Sequence, residues 1–185
     1  MYDDKIWVFD DIVDFQYQEH VANTLLSNNF NWFFLNDITD NKGNMQRRPG
    51  FEHNYVTDEK VNSDFHITCM PIIEAACNRI GFKYEKIIQG RSFLQLPLKG
   101  LTSESPPDAA HIDLNYRHLV VLYYVINSEG DTVITEQKDY NEGRFKVKER
   151  VTPKMGRCVV FDGRLWHYAY QPDERKRCII NYNLV

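Results

Sequence analysis

The stretch "RHLVVLYYVIN", residues 117–127, contains an unbroken run of apolar and aromatic side chains. β-Branched and aromatic residues are enriched in strands, so the run predicts a β-strand. It ends at the turn signal Ser128-Glu129-Gly130-Asp131. Similar short runs recur through the second half of the chain, with turn signals at Asn141-Glu142-Gly143 and Asp162-Gly163 between them: "KIIQGRSFLQLPL" (86–98), "DTVITEQ" (131–137), "RFKVKERV" (144–151), "RCVVFDG" (157–163), "LWHYAYQ" (165–171) and "RKRCIINYNLV" (175–185).

This spacing of strands predicts a β-sandwich or barrel.

The first half has a different pattern. Apolar residues recur at helical spacing in residues 14–30 and again in residues 62–82, and Asp14 and Gly81 are suitable cap residues. Residues 36–54 are polar and aperiodic, which indicates a loop; a loop of this length is often functional and otherwise merely mobile, and the sequence assigns no role to the loop 36–62. We therefore predict one domain, residues 1–185, with helical and loop support in 1–85 and a β core in 86–185.

Composition bounds the function. The chain has 185 residues, 43% of them hydrophobic, and a net charge of −4 with no long basic face, so we expect neither nucleic acid nor a membrane as a partner. The four cysteines form no Cys-x-x-Cys pair and lie in apolar surroundings, which predicts reduced, buried thiols. Without a leader-like N-terminus or an apolar run long enough to cross a bilayer, we expect a cytoplasmic protein.

A histidine and an aspartate lie two positions apart in "AAHIDLNYRH", residues 109–118. In an extended chain His111 and Asp113 would point to the same side and present a nitrogen and a carboxylate to one point. Such a pair is common by chance and weak evidence alone. His167, after the Asp162-Gly163 turn, adds a second imidazole, and two histidines with one carboxylate form the facial triad that holds non-haem Fe(II).

Arg177 opens the last predicted strand, where it shares one side with Ile179 and Asn181. A guanidinium in a β core is costly unless an anion meets it, and its fork can hold a carboxylate through two hydrogen bonds. Arg177 could instead pair with surface acids, although Arg175 and Lys176 are better placed to do so. The sequence thus predicts an anion-binding arginine near the metal ligands.

The order His111-x-Asp113, His167, Arg177 resembles the 2-oxoglutarate- and Fe(II)-dependent oxygenases, in particular the prolyl-hydroxylase-like branch. Three stretches add to the resemblance, which covers about residues 90–185: "LYYVIN" (122–127), "SEGDTVITE" (128–136) and "TPKMGRCVVFDGRLWHYAYQP" (152–172). The resemblance implies a mainly β protein with a double-stranded β-helix (jelly roll) core and N-terminal helices packed outside.

The resemblance also implies the site. His111, Asp113 and His167 would be the metal ligands and the catalytic centre, and Arg177 and Tyr124 would bind the distal carboxylate of 2-oxoglutarate. The cofactors would be Fe(II) and 2-oxoglutarate, with ascorbate as a supporting reductant, and O2 would be the second cosubstrate. Asp113 favours hydroxylation over halogenation, because the family's halogenases lack this carboxylate.

Several residues have a structural alternative. Tyr123 is as available as Tyr124, and His118 is not expected to be a ligand. Asn181 could line the cosubstrate pocket, but it is interpreted as satisfying a backbone group. Trp166 should face away from the metal into the core. The family's tyrosine on the strand before His-x-Asp has no counterpart here, since that strand offers only Arg91, Phe93 and Gln95.

The leading hypothesis is a dioxygenase that hydroxylates a peptidyl proline or another protein side chain and releases succinate and CO2. A free amino acid or small metabolite remains an alternative substrate. Nucleic-acid demethylation is disfavoured, because the Asn-x-Tyr-x-x-Gly element of that branch is absent before His111. Two further alternatives are a non-redox, cupin-like metal enzyme or sensor, and a non-catalytic module with a vestigial site.

Overall fold

The computed structural model of the chain describes residues 2–39, 47–101, 105–139 and 145–185. Neither helix in these ranges is long and apolar enough to span a bilayer. The helices are α1 (Phe15–Leu25) and α2 (Phe65–Ile80). The strands are β1 (Ile6–Phe9), β2 (Phe33–Leu35), β3 (Gly50–Thr57), β4 (Lys60–Val61), β5 (Ile87–Gln95), β6 (Leu119–Tyr124), β7 (Thr132–Thr135), β8 (Val147–Val151), β9 (Cys158–Asp162), β10 (His167–Ala169) and β11 (Arg177–Leu184).

The strands form two antiparallel sheets. The larger sheet has the order β1-β9-β6-β11-β5-β3-β2, with β4 paired to β3, and the smaller sheet has the order β10-β7-β8. Neighbours in the larger sheet are therefore mostly distant in sequence, as in a jelly roll. This is the predicted architecture, a β core with helices outside.

Strand β6 explains why the run at 119–124 is apolar throughout. Val120, Leu122 and Tyr124 pack into a core between the two sheets, with side chains of β7, β8, β9 and β11. Val121 and Tyr123 point to the other side of the sheet, into a second core that the helices cover. Both sides of β6 are buried away from solvent, so apolar residues are favoured at every position of the strand.

The two helices cover the outer side of the larger sheet. Asp14 accepts a hydrogen bond from the Tyr17 amide at 3.0 Å, which caps the start of α1. α2 ends at Gly81, whose φ of 66° is the left-handed conformation that favours glycine. The helices predicted in 14–30 and 62–82 are confirmed, with shorter bounds.

Residues 1–85 contain four strands in addition to the helices, so the expectation of only helices and loops there is wrong. β1 pairs with β9, and β3 pairs with β5, so both extend the larger sheet. The polar segment 36–62 includes β3 and β4. β1 is too short to show a clear period, and β3 alternates irregularly between buried and half-buried residues. The predicted turn Asn141-Glu142-Gly143 lies outside the described residues.

All four cysteines, at positions 69, 77, 158 and 178, are free and buried. Burial raises the pKa of the Cys77 thiol to about 11 and that of Cys178 to about 12. The thiols are therefore protonated and weak nucleophiles at neutral pH. The prediction of reduced, buried thiols is confirmed.

Candidate metal and cosubstrate site

A cavity of about 260 Å³ lies beside the two central strands β5 and β11. Three pairs of directly opposed residues on these strands line it: Gln95 with Arg177, Phe93 with Ile179, and Arg91 with Asn181. The cavity therefore has a polar pair at each end and an apolar pair between them. Further lining residues come from the segments before β6 and around β10, among them His111, Asp113, His167 and Tyr168.

The backbone brings His111 and His167 together. Each residue's amide donates to the other's carbonyl, at 3.0 and 2.9 Å, which forms an isolated antiparallel bridge. The imidazole centroids are 4.5 Å apart. His167 opens β10, as predicted, and the bridge explains how residues distant in sequence reach one point.

Asp113 completes the group. Its carboxylate oxygens lie 3.8 Å from His111 Nε2 and 4.0 Å from His167 Nε2. One ligand atom from each of the three residues lies within 4.8 Å of the others. Asp113 lies in a bend rather than in a strand, because β6 begins only at Leu119. The motif thus lies ahead of β6, with His111 in the bridge to His167, and the two side chains converge.

Backbone carbonyls orient both imidazoles. His111 Nδ1 lies 3.1 Å from the Ala109 carbonyl oxygen, and His167 Nδ1 lies 3.1 Å from that of Leu165. An Nδ1–H that donates to a carbonyl leaves the Nε2 lone pair directed at Asp113. Burial, together with the neighbouring His111, lowers the pKa of His167 to about 4, so this imidazole is neutral at pH 7.

Two donors hold the Asp113 carboxylate. Arg91 Nη2 donates to Oδ1 at 3.0 Å, and Asn181 Nδ2 donates to Oδ2 at 3.0 Å. Burial alone would raise the pKa of Asp113, but Arg91, the two imidazoles and the Asn181 hydrogen bond together hold it below its ordinary value. The interpretation of Asn181 as a partner for the backbone is wrong, since its amide serves this carboxylate.

The donor set suits Fe(II). Two imidazole nitrogens and one ionised carboxylate are the ligands of the facial triad, which leaves the remaining positions of the ion open. Asp113 is buried, whereas the His111 side chain is 37% exposed. The group is therefore open on the His111 side, where a substrate could approach.

Arg177 lies at the other end of the cavity and is buried. Its Nε donates to the Gly130 carbonyl at 2.9 Å, Nη1 donates to Gln95 Oε1 at 2.8 Å, and Nη2 donates to Thr132 Oγ1 at 2.8 Å. These contacts fix the guanidinium plane and leave a second hydrogen on each terminal nitrogen. Arg177 lines the cavity, so an anion in it can reach those hydrogens.

Tyr124 lies behind Arg177. The Arg177 guanidinium carbon is 5.9 Å from the centroid of the Tyr124 ring. The Tyr124 hydroxyl donates to the Val151 carbonyl at 3.3 Å, and the residue packs in the core between the sheets rather than on the cavity lining. Tyr124 therefore contacts the predicted anion site through Arg177.

A buried ion pair flanks the Arg177 end, and the sequence did not identify it. Arg48 Nη1 donates to Asp108 Oδ1 at 2.8 Å, and Gln95 Nε2 donates to Asp108 Oδ2 at 3.2 Å. Asp108 lines the cavity. Gln95 thus joins Asp108 to Arg177 and occupies the strand on which a family tyrosine was expected. Arg48 lies in the polar segment 36–54, whereas no pattern in the sequence singled out Asp108.

His118 and Trp166 lie apart from the cavity lining. His118 is buried, with Nδ1 2.7 Å from the Tyr116 carbonyl oxygen. Trp166 faces away from the cavity, as predicted, but it is half-buried rather than in the core. It stacks on Phe145 and donates to the Lys138 carbonyl at 3.1 Å.

No protein-family model and no curated protein sequence matches the chain. Solved structures do. An oxidoreductase of the 2OG-Fe(II) oxygenase family from Burkholderia pseudomallei matches with a TM-score of 0.70 and 10% identity, over 97% of this chain and 84% of that one. A viral collagen prolyl hydroxylase from Paramecium bursaria Chlorella virus-1, in complex with 2-oxoglutarate, matches with a TM-score of 0.61 and 11% identity, over 97% and 94%.

A third similar structure is the non-haem alpha-ketoglutarate-dependent epimerase of nogalamycin biosynthesis. It matches with a TM-score of 0.68 and 14% identity, over 98% of this chain and 78% of that one. The chain therefore has the double-stranded β-helix fold of the 2-oxoglutarate- and Fe(II)-dependent oxygenases. At these identities the likeness establishes the fold, and the reaction must be argued from the site.

Proposed function

We propose that the protein is an Fe(II)- and 2-oxoglutarate-dependent dioxygenase that hydroxylates an unactivated C–H bond and releases succinate and CO2. One observation carries the proposal. The His111, Asp113 and His167 group lies in the same cavity as the buried Arg177, whose terminal nitrogens retain free donors. The first feature suits the metal, and the second suits a dicarboxylate.

His111, Asp113 and His167 would hold the iron. Their tautomers and ionisation already match that role, because both Nδ1 atoms are engaged by carbonyls and Asp113 is kept ionised. When bound, iron and 2-oxoglutarate supply the oxidising power that breaks the C–H bond. The chain's own contribution is to fix the three ligands and to keep the opposite side of the ion open for O2 and substrate.

Arg177 would bind the distal carboxylate of 2-oxoglutarate. Asn181, next to Asp113, is four positions further along β11, which corresponds to roughly 13 Å along an extended strand. A five-carbon diacid is shorter than this, and the Arg177 side chain and the metal, which reach into the cavity from its two ends, would span the remainder. Phe93 and Ile179 lie between the two ends and would pack against the methylene groups of the diacid.

Tyr124 is proposed to support the same carboxylate, through Arg177. The centroid of its ring lies 5.9 Å from the guanidinium carbon of Arg177, and the ring is fully buried. The ring would therefore keep water away from the side of the guanidinium that faces the core. Thr132 and Gln95, which accept hydrogen bonds from Arg177, would fix the direction of its remaining donors.

For the substrate, the prolyl hydroxylase among the similar structures supports a peptidyl proline or another protein side chain. The epimerase among them supports a small metabolite, and it shows that proteins of this fold also catalyse outcomes other than hydroxylation. A cupin-like, non-redox enzyme would need the three ligands but not Arg177, so the buried arginine favours the oxygenase. The four free thiols fit a reducing, cytoplasmic location.

Succinate formation tests the proposal. The purified chain is incubated with Fe(II), ascorbate, O2 and 2-oxoglutarate, and succinate is followed by mass spectrometry. Slow, substrate-independent turnover is expected in the wild type. His111→Ala should abolish this turnover, and Arg177→Met should strongly raise the 2-oxoglutarate concentration it requires. The exposed Arg150→Gln variant serves as the control. A wild-type protein that binds Fe(II) but makes no succinate would favour the non-redox alternative.

A further inference from the structure

Arg91 lies at the metal end of the cavity, where Nη2 holds the Asp113 carboxylate and the other donors have no part in the role proposed for the site. The residue projects from β5 opposite Asn181, and its guanidinium contacts Asp113. We propose that Arg91 binds an acidic group of the prime substrate, so that the substrate is a small carboxylic acid. This inference rests on the proposed function and names the substrate class of the same site.

The hydrogen bonds of Arg91 leave most of its donors without a partner. Among the described residues, only Nη2 has an acceptor, Asp113 Oδ1 at 3.0 Å. Nε is buried and has no partner within the described part of the chain. The terminal hydrogens that Asp113 does not engage belong to a side chain that lines the cavity, so an anion there could accept from them. These terminal N–H groups of Arg91 are therefore available to an acceptor from outside the described chain.

The position of Arg91 is fixed. Its guanidinium carbon lies 4.9 Å from the centroid of the Phe93 ring, two residues along the same side of β5. The Arg91 side chain is 20% exposed and lines the cavity. A planar guanidinium held against an aromatic ring is pre-organised to bind a carboxylate through its edge.

The charges in the cavity lead to the same conclusion. Arg48 and Asp108 neutralise one another, and Arg177 would be matched by the distal carboxylate of 2-oxoglutarate. The Fe(II) charge would be matched by Asp113 together with the keto-acid carboxylate. Arg91 then carries the remaining positive charge, next to the metal and in a partly enclosed cavity. An anionic group on the substrate would neutralise it, whereas a neutral substrate would leave it uncompensated.

The geometry restricts the substrate further. Because Arg91 contacts Asp113 directly, an acid held by Arg91 lies close to the metal, and the oxidised carbon must be within a few bonds of that acid. This position favours an amino acid or a similar small acid over a peptidyl proline within a chain, which has no charge beside its ring.

The test uses acetate as the probe and acetamide as its uncharged isostere. The full-length protein is loaded with Mn(II) and saturating 2-oxoglutarate, so that the metal and the Arg177 end are occupied. Mn(II)-enhanced relaxation of the probe's methyl protons then reports binding beside the metal. We expect saturable enhancement with acetate and none with acetamide. In Arg91→Met the affinity for acetate should fall by roughly tenfold or more.

Arg150→Gln is the matched control. Arg150 also pairs with an aspartate, Asp131 at 3.2 Å, and also lies over an aromatic ring, that of Tyr170 at 4.6 Å, but it is exposed and outside the cavity. The Arg150→Gln variant should bind acetate with the affinity of the wild type. Arg91→Gln provides a second uncharged variant and should lose acetate in the same way, whether or not Arg91→Met folds.

Three results would overturn the inference: equal binding of acetate and acetamide, undiminished acetate binding in the Arg91 variants, or no saturable binding in the wild type. A raised 2-oxoglutarate requirement in Arg91→Met with unchanged acetate binding would assign the residue to the cosubstrate and likewise contradict it. Mn(II) and 2-oxoglutarate affinities are measured first. If the wild type binds neither, the proposed function fails; if it binds both but not acetate, only this inference fails.

Discussion

Arg177 and Gln95 lie directly opposite each other on β11 and β5, and Arg177 Nη1 donates to Gln95 Oε1 at 2.8 Å. The amide of Gln95 in turn donates to Asp108 at 3.2 Å. One glutamine therefore connects the arginine that we assign to 2-oxoglutarate with a buried ion pair. From this connection we propose that Gln95 is a positioning residue for the cosubstrate.

Replacing Gln95 by leucine should weaken 2-oxoglutarate binding while the metal ligands stay in place. A hydrogen bond to a charged group contributes about 1.5–3 kcal/mol, so the KM for 2-oxoglutarate should rise by roughly tenfold or more with a smaller change in kcat. The dependence of succinate formation on 2-oxoglutarate measures this. Gln89→Leu is the control, since Gln89 also accepts from an opposed β11 residue, Asn183, but outside the cavity. Equal effects of the two changes would contradict the assignment.

Asn181→Leu should weaken metal binding, because it removes the amide that orients Asp113 Oδ2. Loss of such a supporting hydrogen bond reduces metal affinity by about 10–100-fold. Titration with Mn(II), followed by electron paramagnetic resonance, gives the affinity. Asn183→Leu, two positions further along the same strand, should leave it unchanged, since Asn183 pairs with Gln89. Wild-type affinity in Asn181→Leu would show that Asp113 does not need this contact.

Tyr124→Phe distinguishes a direct from an indirect contact with 2-oxoglutarate. The Tyr124 hydroxyl lies 3.3 Å from the Val151 carbonyl oxygen, a long hydrogen bond, and the ring lies against Arg177. The KM for 2-oxoglutarate should therefore rise less than in Gln95→Leu, by roughly threefold or less. Tyr123→Phe, on the helix-covered side of β6, should have no effect on it. A rise as large as that of Gln95→Leu would mean that the hydroxyl binds the carboxylate itself.

Arg48→Met should destabilise the fold. Arg48 and Asp108 side chains are each 2% exposed, and removal of one partner leaves the other charge buried without its counter-ion. The expected loss is about 3 kcal/mol in the free energy of unfolding, measured with urea. The double variant Arg48→Met with Asp108→Asn should be more stable than Arg48→Met alone. A loss below about 1 kcal/mol in the single variant would indicate that solvent already reaches the pair.

The fold was predictable where the residues themselves determine it. The continuous apolar run of β6 required a strand with both sides covered, and Asp14 and Gly81 marked the ends of the helices. β1 and β3 were not recognised. Their place in the larger sheet depends on pairing with β9 and β5, which are far away in sequence.

The same contrast holds within the site. His111, Asp113, His167 and Arg177 could be found because their chemistry is unusual in a β core, and the structure brings all four to one cavity. The roles of Asn181, Arg91 and Gln95 follow from cross-strand register, which spacing along one strand does not determine. The sequence thus singled out the residues that share the cavity better than it did the residues that contact and orient them.

Anaerobic Fe(II) binding, measured by calorimetry with and without 2-oxoglutarate, tests the central claim most directly. The proposed function predicts a single ion per chain, with the affinity at least about tenfold lower in each of His111→Ala, Asp113→Ala and His167→Ala. The exposed His20→Ala variant should bind as the wild type does. The proposed function also predicts that 2-oxoglutarate binds the wild-type protein more tightly once iron is present. A wild-type protein that binds no Fe(II), or three variants that bind it undiminished, would contradict the claim.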